Sequence, residues 1–246
     1  MIPYERRKKI LSHLEKTELL YIDQLKQILK NASESTIRRD LKVLEEEGHV
    51  NLLTGGAAQL KTSSYEMPID TKKHLHLEEK KRIAKHAASL INDGEVIYID
   101  SGSTPLQMIE YIKNKKIEVF TSNTLILNKL YKCQFNCVLI GGEVSANIGS
   151  TGGPIADNLL SDIFFDKAFL GASGYTLKSG INTPDIKEVN KKRIVKENST
   201  KTYVLLDSSK AYKKTCYKVF DIDECIIITD QINEILEEKG NYILAK

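Results

Sequence analysis

Residues 33–48 read SESTIRRDLKVLEEEG and have the pattern of a short amphipathic helix with marked ends. At about 3.6 residues per turn, Ile37, Leu41 and Leu44 fall on one face. Ser33 is a natural N-cap, and Gly48 is a natural stop beyond the last turn. The sequence therefore predicts a helix that is anchored by one side and presents hydroxyl and cationic groups from the other.

The polar side of this helix suits the major groove of DNA, where arginine makes bidentate hydrogen bonds to guanine. The candidate DNA contacts on that side are Ser35, Thr36, Arg38, Arg39 and Lys42. The alternative is a solvated charged face on an ordinary helical domain. Bulk charge does not separate the two interpretations, because residues 1–60 hold ten Lys and Arg against nine Asp and Glu.

The segments around this helix predict a winged helix-turn-helix domain over residues 1–60. Helical patterns run from Tyr4 to about Lys16 and from Ile22 to about Leu29, and the turn 30–32 follows the second. After Gly48, two short apolar runs flank a Gly pair (49–53 and 57–60), which is the pattern of a hairpin. Two helices, a tight turn and a basic third helix are typical of DNA-binding domains.

The N-terminal domain resembles the DeoR-type bacterial transcriptional regulators. The residues that carry this resemblance are Ser33, Ser35, the run Thr36-Ile-Arg-Arg-Asp-Leu41, Leu44, Gly48 and Gly55-Gly-Ala57. The family usually has Arg and His in the wing before the Gly pair, whereas this chain has Leu52 and Thr54 there. We therefore include no wing residue among the expected DNA contacts.

Length and composition fit a two-domain globular protein. The chain has 246 residues, of which 41% are hydrophobic and 28% charged, and its net charge is +3. No apolar run approaches the roughly 20 residues that span a bilayer, and charge at the N-terminus argues against a signal peptide. We expect a cytoplasmic protein that does not use a membrane as a partner. The spacing of its four cysteines fits no common zinc pattern, so no metal or other cofactor is expected.

The rest of the chain predicts a linker over residues 61–76 and an α/β domain over residues 77–246. Six short apolar runs predict strands at 96–99, 117–120, 137–140, 167–170, 203–206 and 225–228. Helical patterns precede, separate and follow these strands, at about 83–91, 106–112, 125–131, 155–160, 186–197 and 233–238. Continuous apolar strands that alternate with helices favour a mostly parallel sheet covered on both faces.

Ligands of such sheets bind beyond the carboxyl ends of the strands, so the residues after each strand are the candidate site. These residues are rich in hydroxyl groups and small side chains, and one loop carries Lys210. The loop from Ser101 to Thr104 precedes a proline at a helix start, and free backbone N–H groups there suit a phosphate. The alternative is a capped strand-to-helix turn without a ligand. Neither a Walker motif nor a dinucleotide fingerprint is present.

The second domain also resembles the sensor domain of the DeoR-type regulators. The matching pieces are Asp100-x-Gly-Ser-Thr104, Thr121-Ser-Asn123, Gly141-Gly142, Asp166-Lys-Ala-Phe-Leu-Gly171, Gly180 and Asp207-x-Ser-Lys210. That sensor fold is similar to ribose-phosphate isomerase, and effectors of the family are generally phosphorylated sugars. The resemblance implies that Ser101 to Thr104 hold the phosphate and that Asp100, Asn123 and Lys210 line the sugar. The full set of expected effector contacts is Asp100, Ser101, Gly102, Ser103, Thr104, Thr121, Ser122, Asn123, Gly141, Gly142, Asp207 and Lys210.

Together these features predict a sequence-specific transcriptional regulator, and a repressor of sugar-metabolism genes in particular. We expect it to bind an operator as a dimer or larger homo-oligomer and to respond to a phosphorylated sugar. One alternative is a sugar-phosphate isomerase or deaminase with a fused DNA-binding domain, although no clustered acidic motif resembles an isomerase base. Another alternative is an architectural DNA-binding protein without a ligand.

Overall fold

A computed structural model describes residues 2–17, 19–30, 32–63, 66 and 68–246. Asn31 of the predicted turn lies outside the described residues, as do Ser64, Tyr65 and Met67 of the predicted linker. Among the described residues, no helix combines the length and the apolar composition needed to cross a bilayer. The same residues contain no group of three or more His, Cys, Asp or Glu side chains placed to hold a metal ion.

The N-terminal domain is a three-helix unit with a small antiparallel sheet. Its elements are α1 (Pro3–Thr17), β1 (Leu19–Tyr21), α2 (Ile22–Ile28), α3 (Glu34–Glu46), β2 (Val50–Leu53) and β3 (Ala57–Leu60). The predicted helices and hairpin are all present, and β1 adds an unpredicted strand that gives the order β1-β3-β2. The core contains Leu25 of α2 and the predicted apolar stripe of α3, namely Ile37, Leu41 and Leu44.

The remainder of the chain contains six further helices and fourteen further strands among the described residues. The helices are α4 (Ile69–Lys72), α5 (Leu77–Ser89), α6 (Ile109–Ile112), α7 (Pro154–Ser161), α8 (Ile186–Glu197) and α9 (Glu234–Lys239). The strands are β4 (Thr62–Ser63), β5 (Val96–Ile99), β6 (Glu118–Thr121), β7 (Asn136–Leu139), β8 (Glu143–Ser145), β9 (Ser150–Gly152), β10 (Phe165–Gly171), β11 (Gly174–Thr176), β12 (Gly180–Thr183), β13 (Ser199–Leu205), β14 (Lys214–Thr215), β15 (Tyr217–Phe220), β16 (Ile226–Thr229) and β17 (Tyr242–Leu244).

A seven-stranded sheet in the order β17-β16-β13-β10-β5-β6-β7 forms the centre of the second domain. Every neighbouring pair in it is parallel, which confirms the predicted parallel α/β sheet. Its middle strands β5, β10, β13 and β16 are mostly buried on both faces because helices cover both. On β5, Ile97 and Ile99 join the cluster that packs under α5, whereas Tyr98 between them joins the cluster under α7 and α8.

Several parts of this domain differ from the expectations. The helix predicted at about 125–131 is a 3-10 helix over Thr124–Lys132, in which Asn123 caps the first turn through its side chain. A three-stranded antiparallel sheet, β11-β12-β15, was not predicted. Gly180 begins β12 with a φ of +58°, and an added Cβ would lie 2.3 Å from the carbonyl oxygen of Phe220, so only glycine fits there.

Described parts of the segment predicted as a linker contact the second domain. Its strand β4 pairs in parallel with β14, and α4 follows a few residues later. The backbone N–H of Ile69 donates to the carbonyl of Asn147 at 2.8 Å, and the Asn147 side chain donates to the carbonyl of Glu66 at 3.0 Å. These contacts bring Glu66 and α4 to the edge of the sheet where the candidate site lies.

Candidate functional site

The recognition surface of the N-terminal domain is the outer face of α3. Ser33 caps the helix, because its hydroxyl accepts the Thr36 backbone N–H at 3.2 Å. The same hydroxyl lies 2.9 Å from the hydroxyls of both Ser35 and Thr36, so the first turn presents an ordered group of hydroxyls. Ser35, Arg38, Arg39 and Lys42 are exposed, and Thr36 is half-buried.

The two arginines of this face are in different states. Arg38 pairs with Glu34 one turn earlier, with its Nε and Nη2 at 3.1 and 2.8 Å from Oε1. Arg38 lowers the pKa of Glu34 through this hydrogen bond and its charge. Arg39 points to solvent and forms no hydrogen bond or ion pair with any described residue. A guanidinium in that state is available to a base edge or a phosphate.

A buried ion pair holds α3 in place on α1. Arg6 Nε donates to Asp40 Oδ2 at 2.7 Å, and Asp40 is buried between the two helices. Asp40 lies on the inward side of α3 together with Leu41 and Leu44. This arrangement fixes the rotation of the helix, so the exposed side carries the polar set that the sequence predicts.

A small polar cavity of about 50 Å³ lies beyond the carboxyl ends of β5 and β10. It is lined by Glu66, Ile69, Lys72, Asp100, Ser101, Gly102, Ile148, Gly171, Ala172, Ser173, Thr183, Glu188 and Lys192. The fully buried Asp100 accepts the Gly171 backbone N–H through Oδ2 at 2.9 Å. Its other oxygen, Oδ1, is buried without a hydrogen-bond partner among the described residues. A buried carboxylate oxygen without a donor is a place where a ligand hydroxyl can bind.

Four charged side chains form a buried network behind this cavity. Lys192 Nζ lies 2.6 Å from Asp100 Oδ2 and 2.8 Å from Glu188 Oε2. Lys191 Nζ lies 2.6 Å from Glu188 Oε1 and also donates to the Ser150 hydroxyl at 2.7 Å. Burial alone would raise the pKa of Glu188, but Lys191 and Lys192 outweigh it and hold that pKa well below its usual value. Burial opposes the charge of Lys192, and the two carboxylates more than offset it and raise its pKa.

A larger cleft of about 310 Å³ shares Glu66, Lys72 and Ser173 with the small cavity. It is lined by Glu47, Gly48, Lys61, Glu66, Lys72, Leu75, His76, Lys80, Ser173, Asp207, Ser209, Lys210, Lys213, Lys214 and Thr215. Its volume is near the lower end of small-molecule sites, at roughly 300 Å³. The two spaces therefore form one polar region that extends from the end of β5 to the segment after β13.

The predicted effector residues are divided between and around these two spaces. Asp100, Ser101 and Gly102 line the small cavity, and Asp207 and Lys210 line the larger cleft. Ser103 and Thr104 are buried in the same loop without lining either space. No hydrogen bond among the described residues uses the backbone N–H of Gly102, Ser103 or Thr104.

The predicted residues after β6 and β7 belong to the framework beside the site. Thr121 donates to the carbonyl of Ile99 at 2.5 Å, and Ser122 shares a hydrogen bond of 2.8 Å with the Tyr98 hydroxyl. Asn123 caps the following 3-10 helix through Oδ1, while its Nδ2 is buried without a described partner. Gly141 and Gly142 form the turn into β8 and line neither space.

The charged residues of α8, with Lys72 of α4 and Lys80 of α5, belong to the candidate site and were not predicted from the sequence. Glu188, Lys191 and Lys192 are spaced three and four apart on α8, so they share one face of that helix. This spacing is the signal that the sequence offers for a buried site. Charged side chains on the inward face of a helix need buried partners of opposite charge. Lys72 and Lys80 come from a segment whose position no local pattern reveals.

The segment 207–215 also contacts the N-terminal domain. A second interdomain space is lined by Tyr4, Arg7, Leu11, Leu44, Glu47 and His49 on one side and by Ser208, Ser209, Ala211, Tyr212 and Lys213 on the other, with Leu75, His76 and residues 231–233 between them. Tyr4 and Gln231 share a hydrogen bond across this junction. Burial, followed by the charge of Lys213, lowers the pKa of His49 to about 4. The candidate effector segment and the end of α3 are therefore neighbours.

Two family models match this chain. Residues 6–63 match the DeoR-like helix-turn-helix domain, and residues 75–231 match the DeoR C-terminal sensor domain. The chain is 36% identical to the HTH-type transcriptional regulator FruR of Bacillus subtilis over 96% of this chain and 94% of that one. It is 32% identical to the lactose phosphotransferase system repressor of Staphylococcus epidermidis, over 97% of this chain and 96% of that one. It is 31% identical to the regulator GolR of Listeria innocua, over 97% and 95% of the two chains.

Among solved structures, the second domain is similar in fold to D-ribose-5-phosphate isomerases. One, in complex with phospho-erythronic acid, is 18% identical over 55% of this chain and 54% of that one, with a TM-score of 0.41. Another, from Plasmodium falciparum, is 16% identical over 56% and 52% of the two chains, with a TM-score of 0.39. The relatives that match nearly the whole chain are regulators and not enzymes.

Proposed function

The chain belongs to the DeoR family of HTH-type transcriptional regulators, and we propose that a phosphorylated sugar bound in its second domain controls its affinity for an operator. It is a DNA-binding regulator of the class that includes repressors of sugar genes. The single observation that carries the proposal is the pairing of an exposed basic face on α3 with a polar, partly unsatisfied cavity beyond β5. Each half of this pairing has its own test.

The DNA-binding half assigns the major-groove contacts to the outer face of α3. Arg39 and Lys42 are exposed cations, and Arg38 would exchange Glu34 for a phosphate or a guanine edge. The hydroxyls of Ser35 and Thr36 are placed at the first turn of the helix, where backbone phosphates are commonly bound. Because Leu52 and Leu53 of the wing are exposed and apolar, the wing adds little charge to this surface.

The effector-binding half assigns the sugar to the small cavity and the adjoining cleft. The unused N–H groups of the loop 102–104 suit a phosphate, and Asp100 Oδ1 would accept a sugar hydroxyl. Lys210 would supply a cation from the lining of the larger cleft, and its ammonium forms no hydrogen bond or ion pair with any described residue. Thr121, Ser122 and Asn123 would position the loop from behind, and Gly141 and Gly142 would shape the neighbouring turn.

We expect the regulator to act as a dimer or larger homo-oligomer. Two recognition helices on one face of DNA need centres about 34–36 Å apart or multiples of that distance, which predicts repeated or palindromic half-sites. The sugar would favour one arrangement of the subunits and so change operator affinity. This requires the ligand to bind the DNA-competent and DNA-incompetent states with different affinities.

A DNA-binding experiment tests the first half. The full chain selects its operator from a random-sequence duplex pool, and a shift assay at fixed salt then compares variants. Arg39→Ala is expected to weaken operator binding by about 1–3 kcal/mol. The matched control is Arg82→Ala, which removes an exposed guanidinium from α5 in the second domain. Equal operator affinities for the two variants would contradict the groove assignment.

A ligand-response experiment tests the second half. A panel of sugar phosphates is screened for thermal stabilisation of the full chain and then for an effect on the selected operator complex. Lys210→Ala is expected to abolish the response and to leave operator binding without ligand intact. Lys201→Ala removes an exposed lysine from the opposite end of β13 and serves as the control. A normal response of Lys210→Ala would remove Lys210 from the site.

A further inference from the structure

The larger cleft carries more positive charge than its carboxylates balance. Six lysines line it: Lys61, Lys72, Lys80, Lys210, Lys213 and Lys214. The described carboxylates of the lining are Glu47, Glu66 and Asp207. Glu66 is already paired with Lys72. A partly buried space with an excess of cations is most stable when an anion occupies it.

Lys210 lies among the lysines that give the cleft its excess of positive charge. It lies near enough to Lys72, Lys80 and Lys213 to repel each of them electrostatically. Lys80 is buried, and its ammonium donates to the carbonyl of Lys72 at 2.5 Å. Burial, with repulsion from Lys210 among the further causes, lowers the pKa of Lys80 to about 8, although Asp207 opposes this shift. A bound anion would relieve the mutual repulsion of these lysines.

The cleft also contains an unsatisfied acceptor. Asp207 is 1% exposed, and its Oδ1 accepts the Ser209 backbone N–H at 3.1 Å. Its Oδ2 is buried without a hydrogen-bond partner among the described residues. Asp100 Oδ1 has the same property in the small cavity. Each of the two connected spaces therefore combines a position for a ligand hydroxyl with a position for an anionic group.

We propose that the effector is a phosphorylated sugar with a second anionic group, and that Lys80, Lys210 and Lys213 bind this second group. The inference rests on the proposed function, because it places the first phosphate at the loop 102–104. The second group is a phosphate or a carboxylate, since both match ammonium donors. Such a ligand would span the ion pair of Glu66 and Lys72, which the two spaces share.

The second group would act on the DNA-binding domain through Glu47. Glu47 and Gly48 follow α3 directly and form the far wall of the cleft. The charge of Glu47 attracts Lys213. An anion on Lys213 competes with Glu47 and repels it, so binding loosens the contact between the end of the recognition helix and the second domain. This links ligand charge to operator release.

Matched ligand pairs test the proposal on the full chain by isothermal titration calorimetry. The pairs are fructose 6-phosphate with fructose 1,6-bisphosphate, and glucose 6-phosphate with 6-phosphogluconate, so that the two arms separate phosphate from carboxylate. Inorganic phosphate controls for unspecific anion binding. In the pair that binds, the doubly anionic member is expected to bind about tenfold to a hundredfold more tightly, the gain of one charge-assisted contact.

A variant separates the second group from the first. Lys213→Gln is expected to remove most of the advantage of the doubly anionic ligand and to leave the affinity for the monophosphate nearly unchanged. Lys201→Gln, at an exposed position outside the cleft, is expected to keep the full advantage. Lys213 is half-buried and Lys201 is exposed, and glutamine is polar and close to lysine in length, so neither change is expected to prevent folding.

The outcomes decide between the two proposals. Equal affinities within the binding pair would overturn the second anionic group and leave the proposed effector site standing. An equal loss of affinity for both ligands in Lys213→Gln would also overturn the second anionic group, because the cleft would then hold the first phosphate. If no member of either pair binds above inorganic phosphate, the effector site and the second group both fail.

Discussion

Replacement of Lys192 by methionine tests the energetics of the buried network. Lys192 balances Asp100 and Glu188, and the three side chains are at most 9% exposed. Removing one member of a buried ion pair leaves an uncompensated charge and costs about 3–5 kcal/mol. We therefore expect Lys192→Met to lower the free energy of unfolding by that amount, a large share of the roughly 5–15 kcal/mol typical of a domain.

Urea unfolding of the ligand-free full chain, followed by far-UV circular dichroism, measures this loss. The control is Lys196→Met, one turn further along α8, where the ion pair with Glu224 spans 2.9 Å and is partly exposed. An exposed pair of this kind contributes at most about 1 kcal/mol. The double variant Asp100→Asn with Lys192→Met is expected to recover part of the loss, because the uncompensated carboxylate is also removed. If Lys192→Met costs no more than the control, the network does not hold the second domain together.

Three further predictions concern the cap, a turn and the cleft. Ser33→Ala removes the N-cap of α3 and is expected to lower the free energy of unfolding by about 1 kcal/mol in the same urea assay. Gly180→Ala adds a Cβ 2.3 Å from the carbonyl oxygen of Phe220 and should cost more than Gly94→Ala, which has positive φ but open space; equal losses would remove the steric argument. Lys80, with a pKa of about 8, should lose its charge as the pH rises from 7 to 9. Calorimetry should then show that affinity for a doubly anionic sugar falls over this range, and a constant affinity would show that Lys80 is not a ligand.

The N-terminal domain could be predicted because its signals are local. The capping serine, the apolar spacing of α3 and the glycine after its last turn all lie within 16 residues. A capped helix with one apolar stripe has few alternative structures, so the pattern determines both its limits and its inward face. The strand β1 was missed because three residues are too few for a periodic signal.

The central sheet was predicted for a similar reason, and its additions were not. Strands buried on both faces are continuous apolar runs, and six of the seven strands appear in the sequence as such runs. The seventh, β17, is a short edge strand at residues 242–244, and the small sheet β11-β12-β15 depends on pairing between distant residues. Pairing of that kind leaves little local pattern.

The candidate site was predicted only where it follows a strand. Asp100 and Lys210 were predicted as site residues because the residues after parallel strands converge on one edge of the sheet. Lys192 was missed because its charge is matched by a carboxylate 92 positions earlier in the chain. An isolated helix pattern cannot distinguish a solvated lysine from a buried one, since the distinction is made by the partner and not by the helix.

The pairing of β4 with β14 has a consequence for the architecture of the operator. Together with the hydrogen bond between Tyr4 and Gln231, it attaches the N-terminal domain to the second domain at two points. An N-terminal domain attached in this way cannot rotate freely to reach a half-site that faces another side of the duplex. Lengthening the spacer of a bipartite site by half a twist of the duplex should therefore abolish simultaneous capture of both halves, and lengthening it by a full twist should cost far less.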